Sequence, residues 1–150
     1  MALEDLYREV ILDHYRNPRN RTPLSHPEAA AEGVNPLCGD EVTVELRFDG
    51  DVVSAVSVRG QGCSISQSSA SMMSTAIKGR SRAEIADLIR RFKAMMDIES
   101  SEPVVDADRP GAALGDLEAL QGVRQYPVRI KCADLAWTTL EEALQAGDGA

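Results

Sequence analysis

No two of the three cysteines in this chain form a CxxC pair, which excludes the zinc-ribbon and thioredoxin readings that such pairs support. No apolar run approaches the length needed to cross a bilayer, so no membrane association is expected. The opening Met1-Ala2-Leu3-Glu4-Asp5-Leu6 carries early acids and no apolar stretch, unlike a signal peptide. An excess of cations is missing too. Sixteen Lys and Arg against 24 Asp and Glu give a net charge of −8, which argues against nucleic-acid binding, where clustered cations must neutralise phosphates. An odd number of cysteines leaves any disulfide framework one partner short, and a reducing cytoplasm is the expected compartment. Internal repeats and low-complexity tracts are absent from the sequence.

What is present suits one globular domain over residues 1–150, with 43% hydrophobic and 27% charged residues. Leu3, Leu6, Tyr7, Val10, Ile11 and His14 fall at helical spacing, and Asn17-Pro18 ends that helix. Residues 19–37, with Pro23, Pro27 and Pro36, read as an extended connection. Val42, Val44, Leu46 and Phe48 alternate with polar residues, Asp49-Gly50 signals a turn, and Val52 to Val58 resumes an apolar pattern. The serine-rich run Ser64 to Lys78 has a helical apolar side ended by Gly79. Ser81-Arg82-Ala83-Glu84 is a capping box that opens a helix containing Ile85, Leu88, Ile89, Phe92 and Met96. Residues 97–116 read as a loop or insertion, after which Asp116 caps a short helix ending near Gly122. Pro127 precedes a last helix that places Cys132 in its first turn.

The chemistry concentrates on the cysteines. Cys38 stands in Asn35-Pro36-Leu37-Cys38-Gly39-Asp40, Cys63 in Gly60-Gln61-Gly62-Cys63-Ser64, and Cys132 in Arg129-Ile130-Lys131-Cys132-Ala133. Three thiolates and the carboxylate of Asp40 supply the four donors that tetrahedral zinc takes. A hairpin brings the residues before its first strand close to those after its second, which sets Cys63 near Cys38 and Asp40. Helix starts favour thiolates at Cys63 and Cys132. Taken singly, each cysteine could be a small core residue, and Cys132 on an apolar helix face suits that role best. Cys38 and Cys63 sit beside glycines at element ends, where a packing side chain has little to pack against.

Other candidates read as structural. His14 on the apolar stripe is a packed histidine, and His26 among prolines is solvated. Gly60-Gln61-Gly62 lacks the Lys-Ser/Thr ending of a phosphate loop, so its glycines serve a tight turn that aims Cys63. Met72-Met73 and Met95-Met96 fill core, while Arg90-Arg91 and Glu141-Glu142 are solvated helix faces.

These motifs, taken in order, carry a resemblance. The segment Leu6-Tyr7-Arg8-Glu9-Val10-Ile11-Leu12-Asp13-His14-Tyr15-Arg16-Asn17-Pro18-Arg19-Asn20 resembles the opening of U-type iron–sulfur cluster assembly proteins. The segments around Cys38, Cys63 and Cys132 resemble that family's three cysteine motifs. The scaffold branch, IscU-like, carries a histidine immediately before the third cysteine. This chain has Lys131 there and resembles the SufU branch instead, as does its segment around residues 97–122.

The resemblance implies an α+β, SufE/NifU-like fold: a small antiparallel sheet packed by helices on one face, with a metal site at one end. It implies Cys38, Asp40, Cys63 and Cys132 as zinc ligands, Cys38 as the sulfur acceptor, and Arg129 as electrostatic support. The implied activity is that of a sulfurtransferase-like co-substrate. It takes persulfide sulfur from a SufS-like cysteine desulfurase and serves a downstream iron–sulfur scaffold. Two alternatives stay open. One is a scaffold on which a transient iron–sulfur cluster is ligated by the same cysteines. The other is a purely structural zinc domain that mediates protein contacts.

Overall fold

The computed structural model describes residues 3–36, 39–96, 120 and 127–148. The described elements, in chain order, are helix α1 (Leu3–Arg16), strands β1 (Ala29–Asn35), β2 (Asp40–Asp49) and β3 (Val52–Gln61), and helices α2 (Ser64–Ile77), α3 (Arg82–Met95) and α4 (Pro127–Asp148). The strands form an antiparallel meander in the order β1-β2-β3. The α+β class is therefore as expected. Cys38, Leu37 and nearly all of the 97–122 segment lie outside the described residues.

The β2–β3 hairpin follows from its alternation. Val42, Val44 and Leu46 are buried, while Glu41 is exposed and Thr43 and Glu45 are half-buried, so one sheet face turns to the helices. Asp49 pairs with Val52, which makes Gly50-Asp51 the two-residue loop rather than Asp49-Gly50. The free edge of β3 is covered at two points. The Val53 amide donates to the Arg80 carbonyl, and the Val58 amide donates to that of Asn20. Such cover blocks pairing with another chain.

β1 is the strand that sequence patterning missed. Its sequence, Ala-Ala-Ala-Glu-Gly-Val-Asn, is poor in the β-branched and aromatic residues that signal strands. Tertiary context makes it a strand: β2 pairs with it along its length, and α4 lies across both. Gly33 explains how closely α4 can approach, because a Cβ there would collide with the Thr139 hydroxyl and press on Leu135.

Behind the sheet, α2 and α4 pack on each other, α1 packs on α2, and α3 reaches α4. The core joins Val44, Leu46, Val56 and Val58 of the sheet to Met73, Ile77, Phe92, Trp137 and Leu140 of the helices. Phe92 and Trp137 stack at 4.4 Å between ring centroids. Both methionine pairs are buried in this core. His14 is buried, with Nδ1 2.9 Å from the Ser71 hydroxyl, which joins α1 to α2; His26 is exposed. Arg91 differs from its expected place on a solvated face: it is largely covered, with its guanidinium 2.8 Å from Asp87. Among the described residues no helix is long and apolar enough to cross a membrane.

Three stability outcomes follow from these contacts. Gly33→Ala should cost about 1–3 kcal/mol by overpacking, and adding Thr139→Ala should recover part of that loss in denaturant unfolding. At α3, the Ser81 hydroxyl accepts from the Glu84 amide and the Glu84 carboxylate accepts from the Ser81 amide, so Ser81→Ala should cost about 1 kcal/mol. The Ser81 backbone amide, then its side chain, hold the Glu84 carboxyl below its ordinary pKa. A depressed folded-state pKa contributes stability above the unfolded value and loses it as pH falls through the folded one. The deficit of Glu84→Ala should therefore fade on acidification through the carboxylate range, as read by unfolding at successive pH values.

Candidate metal centre

Three of the expected site residues converge at one end of the sheet. Asp40 is the first residue of β2, and Cys63 follows the end of β3 two residues after Gln61. Glu41 pairs with Gln61, so the hairpin itself brings the two segments together. Cys63 is the N-cap of α2, as its position before a helix suggested. Cys132 approaches from α4 and is fully buried. It lies in the second turn, not the first, because the helix already begins at Pro127. Its thiol therefore lies beyond the first-turn amides, where the end effect is greatest.

One buried group ties these segments together. Asp40 is completely buried, and its Oδ1 accepts a 2.8 Å bond from the Cys63 backbone amide. Its Oδ2 lies 3.7 Å from the Cys63 sulfur. Gly62 makes this fit possible: its φ is +145°, and a Cβ there would collide with the Asp40 carboxylate. The glycine reading from sequence thus has a steric cause as well as a conformational one.

The donor atoms of Asp40, Cys63 and Cys132 all lie within 4.8 Å of one another. In a tetrahedral zinc site, metal–sulfur and metal–oxygen bonds of usual length put donors about 3.6–3.8 Å apart. The observed 3.7 Å between Asp40 Oδ2 and Cys63 Sγ meets that spacing, and the third donor, Cys132 Sγ, lies within 4.8 Å of both ligand atoms. One oxygen and two sulfurs are a donor set that zinc accepts readily. Cys38, the expected fourth donor, lies outside the described residues, two positions before Asp40 in the chain.

Arg129 stands over the pair of thiols. Its pKa is raised, first by charge attraction to Cys63, then by a hydrogen bond to Cys63, and then by the charge of Cys132. The guanidinium is itself exposed to water.

Sequence reasoning missed several further groups around these sulfurs. Asn35, which ends β1 and pairs with Asp40, places Nδ2 4.0 Å from the Cys132 sulfur. Ser66 sets its hydroxyl 3.9 Å from the Cys63 sulfur and donates to the Cys63 carbonyl at 3.1 Å. Asn35 lies in the quoted Asn-Pro-Leu-Cys-Gly-Asp motif, but its role depends on β1 being a strand. Ser66 gave no signal beyond standing three residues after Cys63.

Known proteins are similar to this chain along nearly its whole length. The zinc-dependent sulfurtransferase SufU of Bacillus subtilis (strain 168) is 42% identical over 147 residues, covering 98% of this chain and 95% of its own. The iron–sulfur cluster assembly scaffold protein IscU of Streptococcus pyogenes serotype M1 is 38% identical over 144 residues, covering 95% and 85%. Among solved structures, a candidate iron–sulfur cluster assembly scaffold protein for the SUF system from Fervidobacterium islandicum AW-1 superposes with a TM-score of 0.79 at 32% identity. It covers 95% of this chain and 99% of its own. The NifU-like N-terminal domain model matches residues 6–133, a span that holds Asp40, both described cysteines and Arg129, and the chain belongs to that family.

Proposed function

We propose that this chain is a zinc-dependent sulfur acceptor in iron–sulfur cluster assembly, with Cys38 receiving sulfur from the persulfide of a cysteine desulfurase. The observation that carries the proposal is the Asp40–Cys63–Cys132 cluster, three metal donors within 4.8 Å of one another at the end of the sheet where Cys38 enters the chain. Lys131 before the third cysteine, and the 42% identity to a zinc-dependent sulfurtransferase, favour acceptance over scaffolding.

Asp40, Cys63 and Cys132 hold the zinc, with Cys38 as the fourth donor. Bound zinc keeps its thiolate ligands deprotonated at neutral pH and brings no redox chemistry of its own. Arg129 adds positive charge beside Cys63 and Cys132, and Asn35 and Ser66 orient those sulfurs. In the transfer step the Cys38 thiolate attacks the outer sulfur of the desulfurase persulfide. A new S–S bond forms on Cys38, the S–S bond within the donor breaks, and the donor cysteine leaves as a thiolate. No external oxidant or reductant is needed.

The second reading is a scaffold for a nascent cluster, favoured by the 38% identity to an IscU scaffold protein and by donors that also suit iron. Incubation with a cysteine desulfurase and cysteine, followed by peptide mass spectrometry, separates the two. Sulfur acceptance gives one zinc per chain and a persulfide on Cys38, and Cys38→Ser should stay folded yet accept no sulfur. A persulfide on Cys132 with Cys38 unmodified would defeat the assignment. An unmodified chain that assembles a stable cluster under anaerobic reconstitution would establish the scaffold.

The zinc assignment has its own test. Gly62→Ala should displace the Asp40 carboxylate and weaken zinc binding by about tenfold or more in chelator competition, in line with other changes that disturb ligand orientation.

A further inference from the structure

The two described thiols stand on different helices, so their separation depends on how α2 and α4 are fixed against each other. Ser69 of α2 is completely buried and faces α4. Its hydroxyl donates to the Ala133 carbonyl at 2.7 Å and accepts from Trp137 Nε1 at 3.2 Å. Ala133 directly follows Cys132, and Ser69 is six residues along the chain from Cys63. The indole is itself held flat against Phe92, with ring planes inclined by 11°.

Packing alone does not require this arrangement. Within α4 the Ala133 carbonyl already faces the Trp137 backbone amide, its ordinary helical partner, so the carbonyl does not depend on Ser69 for satisfaction. An apolar residue at position 69 would fill the helix–helix contact but would leave the buried Trp137 Nε1–H without this acceptor. Besides accepting from the indole, the hydroxyl adds direction. It fixes the sliding position of α4 along α2 at the residue next to Cys132, where a shift of about 1 Å would carry the sulfur out of coordinating distance.

We propose that Ser69 and Trp137 are positioning residues for the metal centre, locking α4 on α2 so that Cys63 and Cys132 keep the spacing that one zinc ion requires. The inference rests on the zinc reading above and extends it to two residues that do not touch the metal. Their part resembles that of the outer hydrogen bonds that orient ligands in other metal sites.

The experiment measures zinc affinity of the full chain by chelator competition, together with the melting temperatures of metal-free and zinc-loaded protein. Ser69→Ala should weaken zinc binding by about tenfold or more, as loss of orienting hydrogen bonds does elsewhere. It should also shrink the rise in melting temperature that zinc produces, since that rise scales with affinity. Ser69→Thr, which keeps the hydroxyl, should retain most of the affinity. Ser68→Ala should leave it unchanged, because the Ser68 hydroxyl donates to the Ser64 and Ile65 carbonyls of its own helix. A Ser69→Ala protein that melts earlier when metal-free but binds zinc as tightly as the parent would overturn the proposal and leave Ser69 a plain packing residue. If Ser69→Ala does not fold, Trp137→Phe, which loses the indole donor, decides the matter: weaker zinc binding supports the proposal and unchanged binding overturns it. A parent chain that binds no zinc would remove the zinc reading, and this inference with it, before any variant is compared.

Discussion

The bond from the Cys63 amide to the buried Asp40 carboxylate is the contact on which the rest of the site depends. A carboxylate at zero exposure must be compensated, since burying a bare charge costs far more than one hydrogen bond returns. The Cys63 amide satisfies one oxygen and fixes where α2 begins relative to β2. The second oxygen is thereby aimed at the Cys63 sulfur. One side chain therefore joins strand to helix and faces the candidate metal position. Gly62 leaves the space that this double role needs.

Charge explains why such a cluster suits a dication. A carboxylate and two sulfurs within 4.8 Å would repel one another strongly if all three were ionised, as metal binding requires. Arg129 offsets one of the three charges, and it is exposed to water, which weakens its effect. A dication offsets the remaining two, so the described groups and the ion together reach neutrality. The surrounding core supplies rigidity, with Trp137 stacked on Phe92 and Thr139 set against Gly33, so that α4 is fixed from both α3 and the sheet.

How much of this was legible in the sequence depended on whether the signal was local. The β2–β3 hairpin follows from alternation around a two-residue turn, and its closure brings Asp40 to Cys63, as the pattern predicts. The capping box at Ser81 and the buried methionines were likewise written in short range. β1 was not, because an alanine- and glycine-rich segment becomes a strand only when β2 and α4 are already in place. Asn35 then went unread, since its reach to Cys132 depends on that strand. Ser69 also gave no local sign. A serine in a helix is an indifferent helix former, and its value here lies in two neighbours 64 and 68 residues away. Cys132 stands in the second turn rather than the first because Pro127 is the first residue of the helix and not the residue before it.

These constraints bear on the division of labour among the donors. Asp40 is fixed by the Cys63 amide, Cys63 caps α2, and Cys132 is buried in α4 beside the Ser69 junction. Each is tied to a regular element, and moving any one of them disturbs a helix or a strand. Cys38 itself lies outside the described residues, between Asn35 and Asp40 in the chain, and those two are cross-strand partners. On the proposed reading, three donors anchored in the fold keep the ion in place, while the donor between two strands carries out the chemistry.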